Sequence, residues 1–535
     1  MNSGRSNVII PLILFLTVFL VFGNSLFHRF TYDDHEAIYP GAFVTSWSNL
    51  PDLFTGNYFT ETSEKSYRPV VTFSHFLEYS IWGMNPAGYH LINLMLHATA
   101  VILFYFFLQI FFKNREGAMF GALLFAVHPI VTEPVNAISF REDLMAGMFV
   151  LAAWLSAFRI SKHIFLKSVL CALFSILAYF SKESATPFIL MIPVFLILFC
   201  KADSEKNPYC PHSRSFYIYF MPMQIAVLLL FLIIRFVIMR PGGAYTTEPL
   251  GNSGIAAAFH GGFLFLKAWY LFFVPVILNA DYVFHHIEGI ITPWSISGLA
   301  FLVFYCTILI WTCFKGKRIA CFAFLWILLF FLPAMNIIPL TNPFAERYLY
   351  LPFMGFAIFA VCGYEVLRKI AMKKDSLERL KYLRLTAFLI ILILAFLSIR
   401  RNLVWGTDKI LWETTLKTEP ESVRALNGAA LSKIAEGDLK KAENLLIRAL
   451  ELKPADYEVR NNLAVVYLKT GRTDLALDQL QKAISLKPDL ASAHYNLARI
   501  YSRRKNLSRA KQHLELAKKY GFPVPVEFSG DLNLN

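Results

Sequence analysis

Long apolar runs broken by short polar turns fill the chain as far as Arg400, and a different pattern takes over beyond it. The runs Val8–Phe27, Tyr89–Phe112, Ala118–Val135, Leu144–Phe158, Phe165–Phe180 and Thr186–Cys200 read as helices that cross a bilayer. Phe216–Ile238, Pro293–Phe314, Ile319–Ile338, Leu349–Leu367 and Leu385–Ile399 continue the series to eleven. A spanning helix needs about 20 apolar residues for ~30 Å of hydrocarbon, so the limits of the shorter runs are set only to within a few residues. No small-residue cleavage site follows Val8–Phe27, which reads as a retained first helix. A twelfth apolar stretch, Gly262–Ala280, carries Lys267 and Pro275 and runs into Asp281-Tyr-Val-Phe-His-His286. It is expected to lie at the interface or to re-enter, inside a long loop at 239–292.

Charge supports that count. Lys and Arg total 51 against 37 Asp and Glu, a net charge of +14. The excess gathers in the short turns Lys113–Arg115, Arg159–Lys167, Lys201–Arg214, Lys315–Arg318 and Arg368–Arg384. With eleven crossings and an inner N-terminus these basic turns share the inner side, as the positive-inside rule demands. The loops 28–88, 136–143, 181–184, 239–292 and 339–348, and everything after Arg401, then face outward. No basic face or nucleic-acid motif stands apart from this pattern, so nucleic acid is not an expected partner.

Beyond Arg400 the period changes. Pro420, Pro454 and Pro488 are spaced 34 residues apart, as are Ala430, Ala464 and Ala498. Ala442, Ala476 and Ala510 repeat the spacing, followed by Ala449, Ala483 and Ala517, while Gly437 and Gly471 mark turns. Small residues at these places let two helices pack closely, and the proline ends the second helix. This is the tetratricopeptide pattern, whose arrays present a concave groove to extended peptides. An array that merely stabilises the membrane part is the plainer alternative. The expected class is therefore all-α. A polytopic transmembrane helical bundle of about eleven helices fills residues 1–400, then come a linker at 401–420, three repeats forming an α-solenoid at 421–522 and a tail at 523–535.

Composition agrees: 56% of residues are hydrophobic and 16% charged, with 51 phenylalanines, whereas soluble domains carry about 25% charged residues. The seven cysteines show no CxxC spacing, so neither a disulfide framework nor a zinc site is expected.

The candidate chemistry lies in the outer loops. Thr31-Tyr-Asp-Asp-His-Glu-Ala37 follows the first helix, and two adjacent carboxylates near low dielectric repel, which raises one pKa and suits a general base. A solvated helix cap is the commoner use of such a pair. Lys65-Ser-Tyr-Arg-Pro69, Val127-His-Pro-Ile-Val-Thr-Glu133, Ser139-Phe-Arg-Glu-Asp143, Ser181-Lys-Glu-Ser184 and Ala345-Glu-Arg-Tyr-Leu-Tyr-Leu-Pro352 complete the set. Ionisable residues at the ends of spanning helices are costly and so are functional candidates. Arg68, Arg141, Lys182 and Arg347 could stabilise a leaving phosphate, with His128, Glu133, Glu142, Asp143 and Glu346 in support. Each cation alone is more often a headgroup anchor or an ion-pair partner.

Taken with Gly88-Tyr-His-Leu-Ile-Asn-Leu-Met-Leu-His97, Leu266-Lys-Ala-Trp-Tyr-Leu271 and Asn402-Leu-Val-Trp405, these motifs keep the order of a known family. The chain resembles the transmembrane and tetratricopeptide-repeat O-mannosyltransferases and, more distantly, the dolichyl-phosphate-mannose protein mannosyltransferases. The resemblance implies a membrane glycosyltransferase of the C-type fold. Such an enzyme takes its sugar from a polyprenyl-phosphate donor and passes it, with inversion, to a hydroxyl of a protein or glycan acceptor. Asp33 and Asp34 carry over the base by position, and Arg141, Lys182 and Arg347 the donor-phosphate contacts. It implies no cofactor; a divalent metal occurs in the wider fold class, but no ligand cluster is evident beyond Asp33, Asp34, His35, Glu142 and Asp143. Phe140-Arg-Glu-Asp143 departs from the usual Gly-Arg-Ala-acid pattern, and three repeats are fewer than animal members carry. A prokaryotic inner-membrane protein with outward-facing repeats is the expectation, or an ER protein with lumenal repeats if the source is eukaryotic. The rival reading is a non-enzymatic scaffold whose repeats recruit envelope or secretory proteins. A transporter would show an inverted repeat, which is not evident.

Overall fold

The computed structural model describes residues 2–39, 42–62, 66–160, 163–200, 219–239, 254–284, 289, 291–337, 340, 342–373 and 377–522. Lys65, the basic turn Lys201–Arg214 and His285-His286 lie outside them. The described residues are helical, without a strand, and form two units, divided after Gly406. The membrane unit runs α1 (Asn2–Phe22), α2 (Asp34–Ala37), α3 (Asn57–Glu61), α4 (Pro69–Trp82), α5 (Pro86–Phe111), α6 (Arg115–Val127), α7 (Thr132–Asn136) and α8 (Arg141–Leu155). It continues with α9 (Ile164–Ser181), α10 (Phe188–Phe195), α11 (Met221–Ile233), α12 (Gly254–Phe273), α13 (Pro293–Phe314), α14 (Arg318–Phe331), α15 (Tyr350–Lys373) and α16 (Leu377–Val404).

Among the described residues every expected span contains a helix. Among the described residues nine helices are long and apolar enough to cross a membrane, or ten if the pair bent by 50° at His128–Pro129 is one span. The bend has a local cause. Pro129 disfavours helix at the residue before it, and His128 is extended at ψ 134°. The remaining spans are the shorter apolar helix Arg318–Ala334 and α8, which a π-turn prolongs through Ser156–Ile160.

Gly262–Ala280, expected to lie at the interface or to re-enter, contributes most of its length to a continuous helix, Gly254–Phe273, that is itself long and apolar enough to cross a membrane. It packs along α13 in the same direction, with Phe265 on Phe301 at 5.8 Å and Trp269 on Tyr305 at 5.7 Å between ring centroids. Gly262 and Gly298 meet where a Cβ on Gly298 would lie 2.1 Å from the Phe263 nitrogen, so only glycine allows this approach. Because the two helices are parallel, the chain between them returns to the end from which α12 started. α12 therefore leaves the parity of the crossings unchanged.

The helices of this unit have two polar ends. One gathers Glu116 with Arg384 at 2.7 Å and Arg368 at 3.9 Å. The other holds the buried charges described below, and there Arg29 N–H donates to the Gly406 carbonyl at 3.2 Å, where the chain leaves the unit. Among the cysteines, expected to be unpaired, Cys313 and Cys321 are bonded across the Lys315–Arg318 turn.

The second unit takes Asn279–Val283 together with Thr407 onward. Residues 401–420 are not a bare linker: α16 runs to Val404, and α17 (Asp408–Thr418) follows. The repeats are α18 (Val423–Glu436) with α19 (Leu439–Leu452), α20 (Tyr457–Lys469) with α21 (Thr473–Leu486), and α22 (Ala491–Arg503) with α23 (Leu507–Lys519). The periodic alanines are all fully buried, and all but Ala517 share one core with Leu446, Leu480 and Leu514. Ser422 and Asp438 cap α18 and α19 with side-chain oxygens, and Gly437 closes α18 in the left-handed region at φ 82°. Trp412 of α17 seats on Gly428, whose missing side chain makes the room.

Candidate active site

The chain leaves the first span through a 3-10 turn at Gly23–Phe27 and reaches Tyr32 in the left-handed region, φ 59°. Such a conformation costs a non-glycine residue about 1–2 kcal/mol, and surrounding packing must hold it. Tyr32 is held between Phe140 at 5.4 Å and Trp405 at 6.1 Å. The turn gives the next two acids different surroundings. Asp34 is fully buried. Its Oδ2 accepts from Thr31 N–H at 3.1 Å and its Oδ1 from Ser139 N–H at 2.7 Å. Burial pushes its pKa up to about 7, with the Asp33 charge adding to the rise and the two backbone bonds opposing it. Asp33 is half-buried at the N-cap of α2 but makes no capping bond, and its charge reaches Arg347. The pair is therefore split into an anchor, Asp34, and an acid that faces a cation, Asp33.

A row of buried charges surrounds them. Arg68, at the start of α4, donates to Glu142 at 3.2 Å, and Lys182 approaches the same carboxylate at 3.7 Å. Lys182 also pairs with Asp143 and lies 5.4 Å from the centre of the Tyr348 ring. Arg347 donates twice to Glu133, from its guanidinium at 2.5 Å and its backbone N–H at 2.9 Å, and stacks over Phe140 at 4.0 Å. Glu346 is completely buried and meets Arg401 at 3.5 Å. The structure thus brings Arg68, Glu142, Asp143, Lys182, Glu133 and Arg347 together with Asp33.

Arg141 does not join the row. Its side chain is 0% exposed. It pairs with Glu78 and donates to Asn93 Oδ1 at 2.9 Å, Ser74 Oγ at 3.2 Å and the Tyr89 carbonyl at 3.2 Å. Four of the five N–H donors of a guanidinium are taken up in tying α4, α5 and α8 together. The expected donor-phosphate contact at Arg141 is therefore corrected to a strut. His128 is likewise corrected from a site residue to a packing one. Its Nδ1 accepts from Ile130 N–H at 3.2 Å, its Nε2 meets the Phe272 carbonyl at 3.2 Å, and its ring lies 4.2 Å from Phe353.

Sequence reasoning missed Glu78, Asn93, Arg235 and Arg401. Arg235 pairs with Glu183 at 3.1 Å and extends the row past Arg68, whose charge also reaches Glu183. The available signal was an ionisable residue inside an apolar run, as at Glu78 in Phe-Leu-Glu-Tyr and Arg235 in Ile-Ile-Arg-Phe. Among the described residues no three His, Cys, Asp or Glu side chains gather as a metal site would require.

Comparison with known proteins places both halves. Models described as tetratricopeptide repeat match residues 433–482 and 491–520, and one described as TPR repeat matches 466–504. Protein O-mannosyl-transferase F38B6.6 of Caenorhabditis elegans is 27% identical over 466 residues, 85% of this chain and 64% of its own length. Human protein O-mannosyl-transferase TMTC3 is 26% identical over 468 residues, 81% of this chain and 50% of its own. The chain thus spans about half to two thirds of the length of these relatives. A crystal structure of ArnT from Cupriavidus metallidurans bound to undecaprenyl phosphate aligns over 92% of this chain and 81% of its own. At 12% identity and a TM-score of 0.37 that likeness is too distant to carry fold or function. A membrane-type bundle with buried charges at one end, tetratricopeptide repeats after it and matches running through both together make this chain a homologue of the proteins named protein O-mannosyl-transferases.

Proposed function

We propose that this protein is a membrane glycosyltransferase that moves a sugar, mannose or a similar hexose, from a polyprenyl-phosphate donor to a hydroxyl of a polypeptide or envelope acceptor. The observation that carries the reading is the split acid pair: Asp34 is locked to the backbone, while Asp33 is left half-buried beside a row of cations. In the transfer, the acceptor oxygen bonds to the anomeric carbon as Asp33 takes its proton. The bond from that carbon to the donor phosphate oxygen breaks on the opposite side, so configuration inverts and polyprenyl phosphate leaves. Arg347, Lys182 and Arg68 meet the charge that develops on the phosphate, the term that electrostatic preorganisation supplies. Each already faces an acid, so the row is held in place before the donor arrives. No resident metal is proposed, and EDTA is expected to leave transfer unchanged.

The charged end of the bundle is proposed to face away from the cytoplasm, because the Lys- and Arg-rich turns Lys113–Arg115, Lys315–Arg318 and Arg368–Arg384 belong to the other end. The chain leaves the bundle at its charged end, and the repeats that follow are proposed to bind the acceptor.

The test uses the full-length protein in detergent with labelled polyprenyl-phosphate mannose and hydroxyl-bearing peptides. Asp33→Asn is expected to lower transfer by about 100-fold or more, the usual range for a lost general base. Undiminished transfer would remove Asp33 from that role. If the wild type transfers to no acceptor, the scaffold reading takes its place.

A further inference from the structure

Arg141 and Arg235 both lie among apolar residues, and they are used in opposite ways. Arg141 spends four of its N–H donors on protein. Arg235 spends one, from Nε to Glu183 Oε1 at 3.1 Å. The N–H groups on its two terminal nitrogens make no hydrogen bond among the described residues. The side chain keeps only 10% exposure, and neither terminal nitrogen is among the buried atoms left without a partner. Arg235 is thus held by one bond, with its fork open.

Its place on α11 is specific. Gln224, Val227, Phe231 and Arg235 follow at helical spacing and form the buried stripe of the helix and its extension. Leu230, Ile233, Phe236, Val237 and Ile238 are exposed, and only 22% of this span is buried in protein, so its other faces meet lipid. Arg235 lies in a π-turn, Ile234–Ile238, closed by the Met239 N–H on the Ile234 carbonyl at 2.7 Å. Such turns are frequent at functional sites.

α9 packs between α8 and α11, and all three bring charge to the same end. Glu142 and Asp143 open α8, Lys182 and Glu183 follow α9, and Arg235 closes the extension of α11. Arg68 bonds to Glu142, and its charge reaches Glu183. The row of charges therefore runs from the centre of the bundle out to its lipid-facing edge.

The geometry points to Arg235 as the residue that receives the phosphate of the polyprenyl donor from the bilayer and passes it inward to Arg68 and Lys182. This deepens the proposed function and rests on it for the identity of the lipid. A lipid phosphate arriving beside α11 keeps its chain in hydrocarbon, and a charge there is costly unless it meets a partner. A guanidinium fork takes two phosphate oxygens at once. Glu183, between Arg68 and Arg235, holds the cations in place and repels the phosphate, so the site hands its ligand on rather than trapping it.

The experiment uses full-length protein in nanodiscs and a photoreactive polyprenyl phosphate that carries no sugar, so capture is read without transfer. Arg235→Gln is expected to lower capture at least about tenfold, the range for a lost hydrogen bond to a charged group. Glu183→Gln should raise it severalfold, a sign that a merely structural pair would not give. Arg235→Lys, which keeps the charge and loses the fork, should retain part of the capture and serves if Arg235→Gln does not fold. In transfer assays Arg235→Gln should raise KM for the long-chain donor with kcat unchanged. It should alter neither constant for a short-chain, water-soluble donor, which needs no path through the bilayer. Equal losses with both donors overturn the inference, as does unchanged capture in Arg235→Gln or a wild type that captures nothing. So does displacement of the probe by phosphatidylglycerol as readily as by unlabelled polyprenyl phosphate, which would make the site a general headgroup anchor. Asp33→Asn should capture as the wild type does. Capture by a wild type that transfers to no acceptor would remove the catalytic reading and still support this one.

Discussion

Asp33 and Asp34 show how far one residue's surroundings can separate two identical side chains. The left-handed Tyr32 turns the chain so that Asp34 enters the interior and Asp33 does not. Folded Asp34 ionises at about 7, against an ordinary value of 3.8. The folded state therefore holds the proton more tightly. Its contribution to stability is complete below about pH 4 and is lost as the pH rises through about 7. Thermal unfolding followed across that window should show a falling Tm in the wild type and a flatter profile in Asp34→Asn. An equal slope in both would assign the pH dependence to other groups. The motif Tyr32-Asp-Asp34 was legible in the sequence, and so was its acid–base potential. Which acid is which was not, because the decision rests on the Ser139 N–H, a group 105 residues away.

Among the elements, α4, α5 and α8 are joined through Arg141 and Glu78. Removing one partner of a buried pair leaves an uncompensated charge and costs about 3–5 kcal/mol. Arg141→Ala is therefore expected to lower Tm sharply, and Arg141→Met with Glu78→Gln to recover most of the loss, because no lone charge is then buried. Lys182→Ala with Asp143→Asn, which leaves no lone charge at that buried pair, should by contrast lower transfer by more than it lowers Tm. Comparing melting with transfer for the three variants separates strut from donor contact. In the solenoid, the turn that Gly437 and Gly471 occupy falls at Lys505 in the third repeat, at φ 56°. Lys505→Gly relieves about 1–2 kcal/mol of left-handed strain and gives back about 0.5–1 kcal/mol of chain entropy. A small rise in Tm is expected, and a fall would show that the Lys505 side chain holds the turn. The 34-residue period made these repeats readable without coordinates, since each repeat meets only its neighbours.

At the scale of the whole molecule, the direction of α12 decides the topology. Its parallel run along α13 predicts that Ile255, at the start of α12, and Trp294, at the start of α13, are reached from the same side of the membrane. Single cysteines at the two positions, labelled with an impermeant maleimide in sealed vesicles, test this. Labelling from opposite sides would mean that α12 counts as a crossing. The amino-acid sequence by itself determined the two-part organisation, the spans and the repeats, because both follow from local periods: about 20 apolar residues for a bilayer and 34 residues for a helical pair. It also determined which ionisable residues stand at span ends. The tertiary structure alone decided that Arg141 is a strut, that Asp33 and Asp34 differ, and that α12 runs parallel to α13. Each of those depends on a partner far away in the sequence, and hydrogen bonds and ion pairs act over a few ångströms of space, whatever the separation along the chain.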